Sequence, residues 1–141
     1  MKKHNLPNEF YYALVSFLLQ AKQHIISVSA DFGLTSMQAL TLLTIQPNSQ
    51  QSMSSICKRY ECDASNITGI IDGLEQKDLV SRQPHPTDRR VKIIHLELAG
   101  HDLQKKLIAS IAATSGHLFS GLTTAETQQL ATLIQKIELP K

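Results

Sequence analysis

Two short apolar stripes separated by three residues constrain this chain more than any other feature. Met53, Ile56, Cys57 and Tyr60 recur at helical spacing, as do Ile67, Ile70, Ile71 and Leu74, and only Glu61, Cys62 and Asp63 lie between the two helices these stripes predict. Helices joined by so short a connection must cross at a steep angle, which is the helix-turn-helix arrangement. Asp63 is suited to cap the second helix, its carboxylate accepting from the N–H of Ser65 or Asn66.

The stretch that follows narrows the fold further. Leu79-Val-Ser-Arg82 and Val91-Lys-Ile-Ile-His-Leu96 are rich in β-branched residues and read as strands, with the segment HPTDRR from His85 between them. A helix-turn-helix followed by a β-hairpin is the order of a winged helix. Upstream, Phe10, Leu14, Phe17, Leu18, Ala21, Ile25 and Val28 predict a long first helix that breaks at Gly33. Thr35-Ser-Met-Gln38 then has the form of a capping box opening a short helix that stops near Pro47, and Pro47 to Ser52 reads as a polar loop. Beyond the wing, one helix is predicted from Ala99 to about Phe119. A second capping box, Thr123 to Glu126, opens a last helix. The expected fold is mainly α with a small β-hairpin wing in one domain, with a winged helix-turn-helix over residues 34–98 and dimerisation helices over 1–33 and 99–141.

Composition fits one such domain. A chain of 141 residues, 42% hydrophobic, buries one core and is short for two. The first and last helices are more apolar than a three-helix core requires, so a second copy of the chain is expected to cover Leu6, Phe10, Leu118, Phe119, Leu130, Leu133, Ile134 and Ile137. The start, MKKHNLPNEFYYALVSFLLQA, has the charge and apolar run of a signal peptide, but helical spacing continues past Lys22 and His24, as an amphipathic helix requires. There is no run of ~18 apolar residues to span a bilayer. Two cysteines are too few for a disulfide framework, so a reducing, cytoplasmic location is expected.

A formal charge of +2 requires any polyanion to be met by a local patch. Ser65, Asn66 and Thr68 are short polar side chains on the first turns of the second helix of the motif, where they can read base edges. That helix carries no cation before Lys77, so phosphate attraction falls to Lys58, Arg59, Arg82, Arg89, Arg90 and Lys92. Pro84 and Pro86 stiffen the wing, and Asp88, two positions before Arg90, can accept from its guanidinium. Asp88 therefore reads as an orienter of Arg90.

Leu79-Val-Ser-Arg82, then Asp88-Arg-Arg-Val-Lys-Ile-Ile-His-Leu96 and Gly100, resembles the D-x-R wing signature of the MarR family of bacterial transcriptional regulators, and Ile67-Thr-Gly-Ile-Ile-Asp-Gly-Leu-Glu75 is similar to that family's recognition helix. The resemblance implies a homodimeric winged-helix repressor, or less often activator, on a palindromic operator. It implies Arg90 in the minor groove, with Asp88 as its wing partner, and Ser65, Asn66 and Thr68 in the major groove. It also implies release from DNA by a small, phenolic or otherwise aromatic effector bound between the dimerisation helices and the DNA-binding lobe. Three positions depart from the pattern: Asp78 stands for the usual turn glycine, Glu97 for a threonine, and Gly69 where many relatives carry arginine.

Two alternatives belong to other classes. A winged-helix module could bind an acidic protein through its wing, and some MarR relatives sense oxidants through a reactive cysteine. Cys57 on its buried stripe and Cys62 in the apolar slot before the second helix both read first as small buried hydrophobes. The sensing alternative rests on Cys62 lying near Lys58, Arg59 and a helix start, which could lower its pKa. The six histidines show no metal-ligand spacing, and no metal or cofactor is expected. His24 and His101 could meet in space and help line an effector pocket, although an ordinary core or surface role is the favoured reading of both. No catalytic motif supports an enzyme.

Overall fold

The computed structural model describes residues 7–60 and 64–137. The elements in order are α1 (Asn8–Asp31), α2 (Ser36–Thr44), β1 (Gln51–Ser52), α3 (Met53–Tyr60), α4 (Ala64–Glu75), β2 (Val80–Pro84), β3 (Lys92–Leu96), α5 (Leu98–Thr114), α6 (Gly116–Phe119) and α7 (Thr124–Ile134). The expected cap of α4 by Asp63 lies outside the described residues.

Local chemistry sets the element ends. Gly33, at φ 67°, closes α1 with a double bond pattern, Leu34 N–H to Ser29 O at 3.0 Å and Gly33 N–H to Ala30 O at 2.9 Å. Thr35 then forms the capping box of α2: Gln38 N–H donates to Thr35 Oγ1 at 3.2 Å, and Thr35 N–H donates to Gln38 Oε1 at 3.0 Å. Thr123 and Glu126 form the same box at α7. Asp78 ends α4 in the left-handed region at φ 55°, with Leu79 N–H bonded to Leu74 O and Asp78 N–H to Glu75 O. The turn glycine of the MarR pattern is thus replaced by a residue that tolerates this conformation.

The core joins α2, α4, the sheet and α5. Leu42, Ile45, Ile67, Ile71, Leu74, Ile94 and Leu107 are fully or almost fully buried. The sheet has the order β1-β3-β2, all antiparallel, with Val80 opposite Leu96 and Pro84 opposite Lys92 on the wing. Pro84 falls at the end of an edge strand, where its missing N–H breaks no central ladder. β1 lies in the segment expected to be loop, pairing Gln51 with Ile94 and Ser52 with Ile93. Two residues are too few to show a period, so only the pairing with β3 reveals them.

The expected single helix from Ala99 to Phe119 is two. α5 ends at Thr114 and α6 starts at Gly116. Thr114 Oγ1 donates back to Ser110 O at 2.6 Å, Ser115 Oγ donates to Ala112 O at 3.1 Å, and glycine follows. Side-chain bonding to the backbone and a weak helix former together favour the break.

Two contacts tie α5 to the winged lobe. Glu97 caps α5 without a side-chain bond, but its N–H donates to Leu79 O at 3.1 Å, and the first turn comes so close that a Cβ on Gly100 would run into the Leu79 carbonyl. Farther along, Gln104 Nε2 donates to Leu42 O at 2.6 Å and Ile45 O at 2.7 Å, satisfying carbonyls at the end of α2. Among the described residues no single helix is long and apolar enough to cross a membrane.

Candidate nucleic-acid interface

α4 is amphipathic in the way a reading helix must be. Ile67, Ile70, Ile71 and Leu74 are buried, and this rotates Ser65, Asn66 and Thr68 outward, all three exposed. Gly69 lies on the same open side, and a Cβ there would meet nothing within 4 Å. No packing reason requires glycine at this position.

Among the described residues, the wing carries the densest open positive charge, Arg89, Arg90 and Lys92. Between Pro84 and Lys92 the chain closes through His85 N–H to Val91 O at 2.9 Å and Val91 N–H to Asp88 O at 3.0 Å. The His85 ring braces the turn, its Nδ1 lying 3.2 Å from Thr87 N and 3.0 Å from Thr87 Oγ1. Asp88 Oδ1 accepts from the Arg90 backbone N–H at 3.1 Å and from its Nε at 3.1 Å, while Oδ2 accepts from Nη2 at 3.3 Å. The Arg90 guanidinium, and next its backbone N–H, hold the Asp88 carboxyl below its ordinary carboxylate range. Arg90 nonetheless remains 91% exposed, so the pair orients the arginine without covering it. Arg89 and Lys92 are exposed beside it.

The remaining expected cations separate. Lys58 lines a cleft of about 300 Å³ with Met53, Cys57, Ile67 and Thr68, on the α4 side of α3. Arg59 faces the other way, beside Thr44, Gln51 and Ser55. Arg82 departs from expectation: its Nη2 donates to Asp72 Oδ1 at 2.6 Å, its Nη1 pairs with Glu75, and only 23% of the side chain is exposed. Two carboxylates on α4 occupy the guanidinium, which removes Arg82 from the open cations. The signal in the sequence was the i, i+3 pair Asp72 and Glu75, whose shared face needs a counter-charge.

Phe10, Leu133, Ile134 and Ile137 are exposed apolar side chains, in company with Tyr11, Tyr12, Val15 and Leu19 of α1. Leu118, Phe119 and Leu130 are half-buried, and the Phe119 ring packs on Phe17 of its own α1 with centroids 6.1 Å apart. Leu6 and Cys62 lie outside the described residues. Cys57 is half-buried. His24 and His101 do not meet: His24 Nε2 bonds to Thr114 Oγ1 at 3.2 Å, whereas His101 sits in the first turn of α5, thirteen residues earlier. That separation is roughly 20 Å along a helix. A cavity of about 320 Å³ does open between α1 and α2, lined by Leu18, Ala21, Lys22, Ile25, Met37 and Leu40 among others, and neither histidine lines it. Among the described residues no group of His, Cys, Asp or Glu could hold a metal ion.

A helix-turn-helix against a three-stranded sheet, with a wing that presents an oriented arginine, defines a winged-helix protein. Comparison with known proteins carries this further. Residues 34–92 match the MarR family model. The chain is 28% identical over 109 residues to the HTH-type transcriptional repressor NicR of Pseudomonas putida, covering 77% of this chain and 69% of that protein. Its fold superposes on wild-type apo MarR from E. coli with a TM-score of 0.80 at 20% identity, over 98% of this chain and 100% of that one. The structure of CouR from Rhodococcus jostii RHA1, bound to p-coumaroyl-CoA, is similar with a TM-score of 0.73 at 23% identity, over 94% and 93% of the two chains. Residues 34–92 therefore carry the match to the MarR family, and over most of its length the chain is similar to HTH-type transcriptional regulators.

Proposed function

We propose that this regulator is a homodimeric, cytoplasmic repressor that binds a palindromic operator through α4 and the wing and leaves it when a small aromatic effector binds. The observation that carries the reading is Arg90, held by Asp88 and still 91% exposed, on the same lobe as the outward Ser65, Asn66 and Thr68. An arginine already held in one orientation loses less entropy when it enters a narrow minor groove. The row of exposed apolar residues on α1 and α7 supports a second copy as its cover. NicR is named a repressor, and CouR was solved with an aromatic acyl thioester bound. The cavity between α1 and α2 suits an aromatic body, with Lys22 as a partner for an anionic group.

Selection of duplex from random-sequence DNA, followed by affinity measurement at several salt concentrations, tests the reading. Lys58, Arg89, Arg90 and Lys92 are exposed in each protomer, eight cations in a dimer. If all meet phosphate, log K falls with log salt at up to about −7, taking about −0.9 for each. A flat response, or no duplex bound at low salt, would reject the repressor reading and leave the protein-interaction module.

A further inference from the structure

We propose that Arg82 is a positioning residue that fastens the wing to the recognition helix, so that Arg90 and the start of α4 meet DNA as one rigid unit. The proposal rests on the DNA-binding reading above. Arg82 lies at the middle of β2, opposite Ile94, and its side chain turns toward α4. Its Nη2 donates to Asp72 Oδ1 at 2.6 Å and Thr68 O at 3.4 Å, and its Nη1 pairs with Glu75. Its backbone N–H also donates to Glu75 Oε1 at 2.9 Å, so Glu75 grips the strand by main chain and side chain together. The acceptors fall at positions 68, 72 and 75, a single stripe along α4 at i, i+4 and i+7 spacing.

Only a planar fork reaches three acceptors on one stripe at once, and lysine offers a single point of charge in its place. From Arg82 the strand runs two residues to Pro84, whose partner Lys92 opens β3, and the loop between them holds Arg90. Rotation of β2 about α4 therefore carries Arg90 with it. Arg82 and Arg90 share no hydrogen-bond partner, since Arg90 is engaged by Asp88 and Arg82 by α4. Any energetic link between them must then pass through the orientation of the wing.

A double-mutant cycle reads that link. Affinities of wild type, Arg82→Gln, Arg90→Ala and the double variant are measured by fluorescence anisotropy with a labelled duplex selected by the wild-type protein, each corrected for its folded fraction. Arg82→Gln is expected to weaken binding on the order of tenfold in the wild-type background and by less than about threefold once Arg90 is alanine. Glu75→Gln, which keeps Arg82 and disturbs folding less, is expected to show the same non-additivity, and Arg82→Lys is expected not to restore affinity. Additive losses would overturn the proposal, since a direct DNA contact by Arg82 is independent of Arg90. So would unchanged affinity in Arg82→Gln. If wild type selects no duplex, the DNA-binding reading fails and the proposal with it; if wild type binds and the cycle is additive, only the proposal fails.

Discussion

Replacing Gly69 with arginine should tighten DNA binding and stabilise the fold together. A Cβ at this position meets nothing within 4 Å, its backbone is ordinary helix, and the neighbouring Asn66 and Thr68 point outward. Glycine inside a helix costs about 0.8–1.0 kcal/mol relative to alanine, and arginine is close to alanine, so Gly69→Arg gains about 0.5–1 kcal/mol of stability. If α4 lies against DNA, the new guanidinium reaches one phosphate or base per protomer. Two added contacts per dimer steepen the salt slope by about 1.8 and raise low-salt affinity on the order of tenfold. The assay is anisotropy on one selected duplex across a salt series, with thermal unfolding measured in parallel. Gln128→Arg, exposed on α7, adds the same charge away from the proposed interface and should leave the slope unchanged. A Gly69→Arg protein that is more stable but keeps the wild-type slope would refute the placement of α4 on DNA.

Three further outcomes are expected. The Asp88 carboxyl is held below its ordinary range by Arg90, so the pair persists above the unfolded pKa of aspartate and is lost as pH falls through the lower folded value. NMR titration should show the Asp88 pKa rising in Arg90→Ala, and an unmoved value would contradict the pairing. Gly100→Ala forces a methyl against the Leu79 carbonyl and should cost about 1–3 kcal/mol in denaturant unfolding, while an unchanged midpoint would show that α5 shifts freely. Asp78→Gly relieves a left-handed non-glycine residue and should stabilise the protein by about 1 kcal/mol, detectable as a higher melting temperature.

The parts of the fold that were legible in the sequence are those governed by local chemistry. The capping boxes at Thr35 and Thr123 need only residues three positions apart, and the stripes of α3 and α4 repeat within one helix. The Asp88–Arg90 contact was legible for the same reason, since both partners lie in one short loop. What escaped depends on partners distant in sequence. β1 exists only because β3 pairs with it, and the Gln104 bonds to Leu42 and Ile45 span about sixty positions. Arg82 looks like any other strand cation until the turn at Asp78 lays β2 along α4 and brings Asp72 and Glu75 against it. His24 and His101 share an apolar helical context, yet the register of α1 on α5 sets His24 beside Thr114.

On the proposed function, this wing, through an arginine oriented by Asp88, carries DNA affinity that the cation-free start of α4 does not supply. The most direct test compares wild type with Arg90→Ala on the same selected duplex at fixed salt. A loss of about 1–3 kcal/mol in binding is expected, with the fold and oligomeric state unchanged. Equal affinity for the two proteins would show that the wing does not touch DNA.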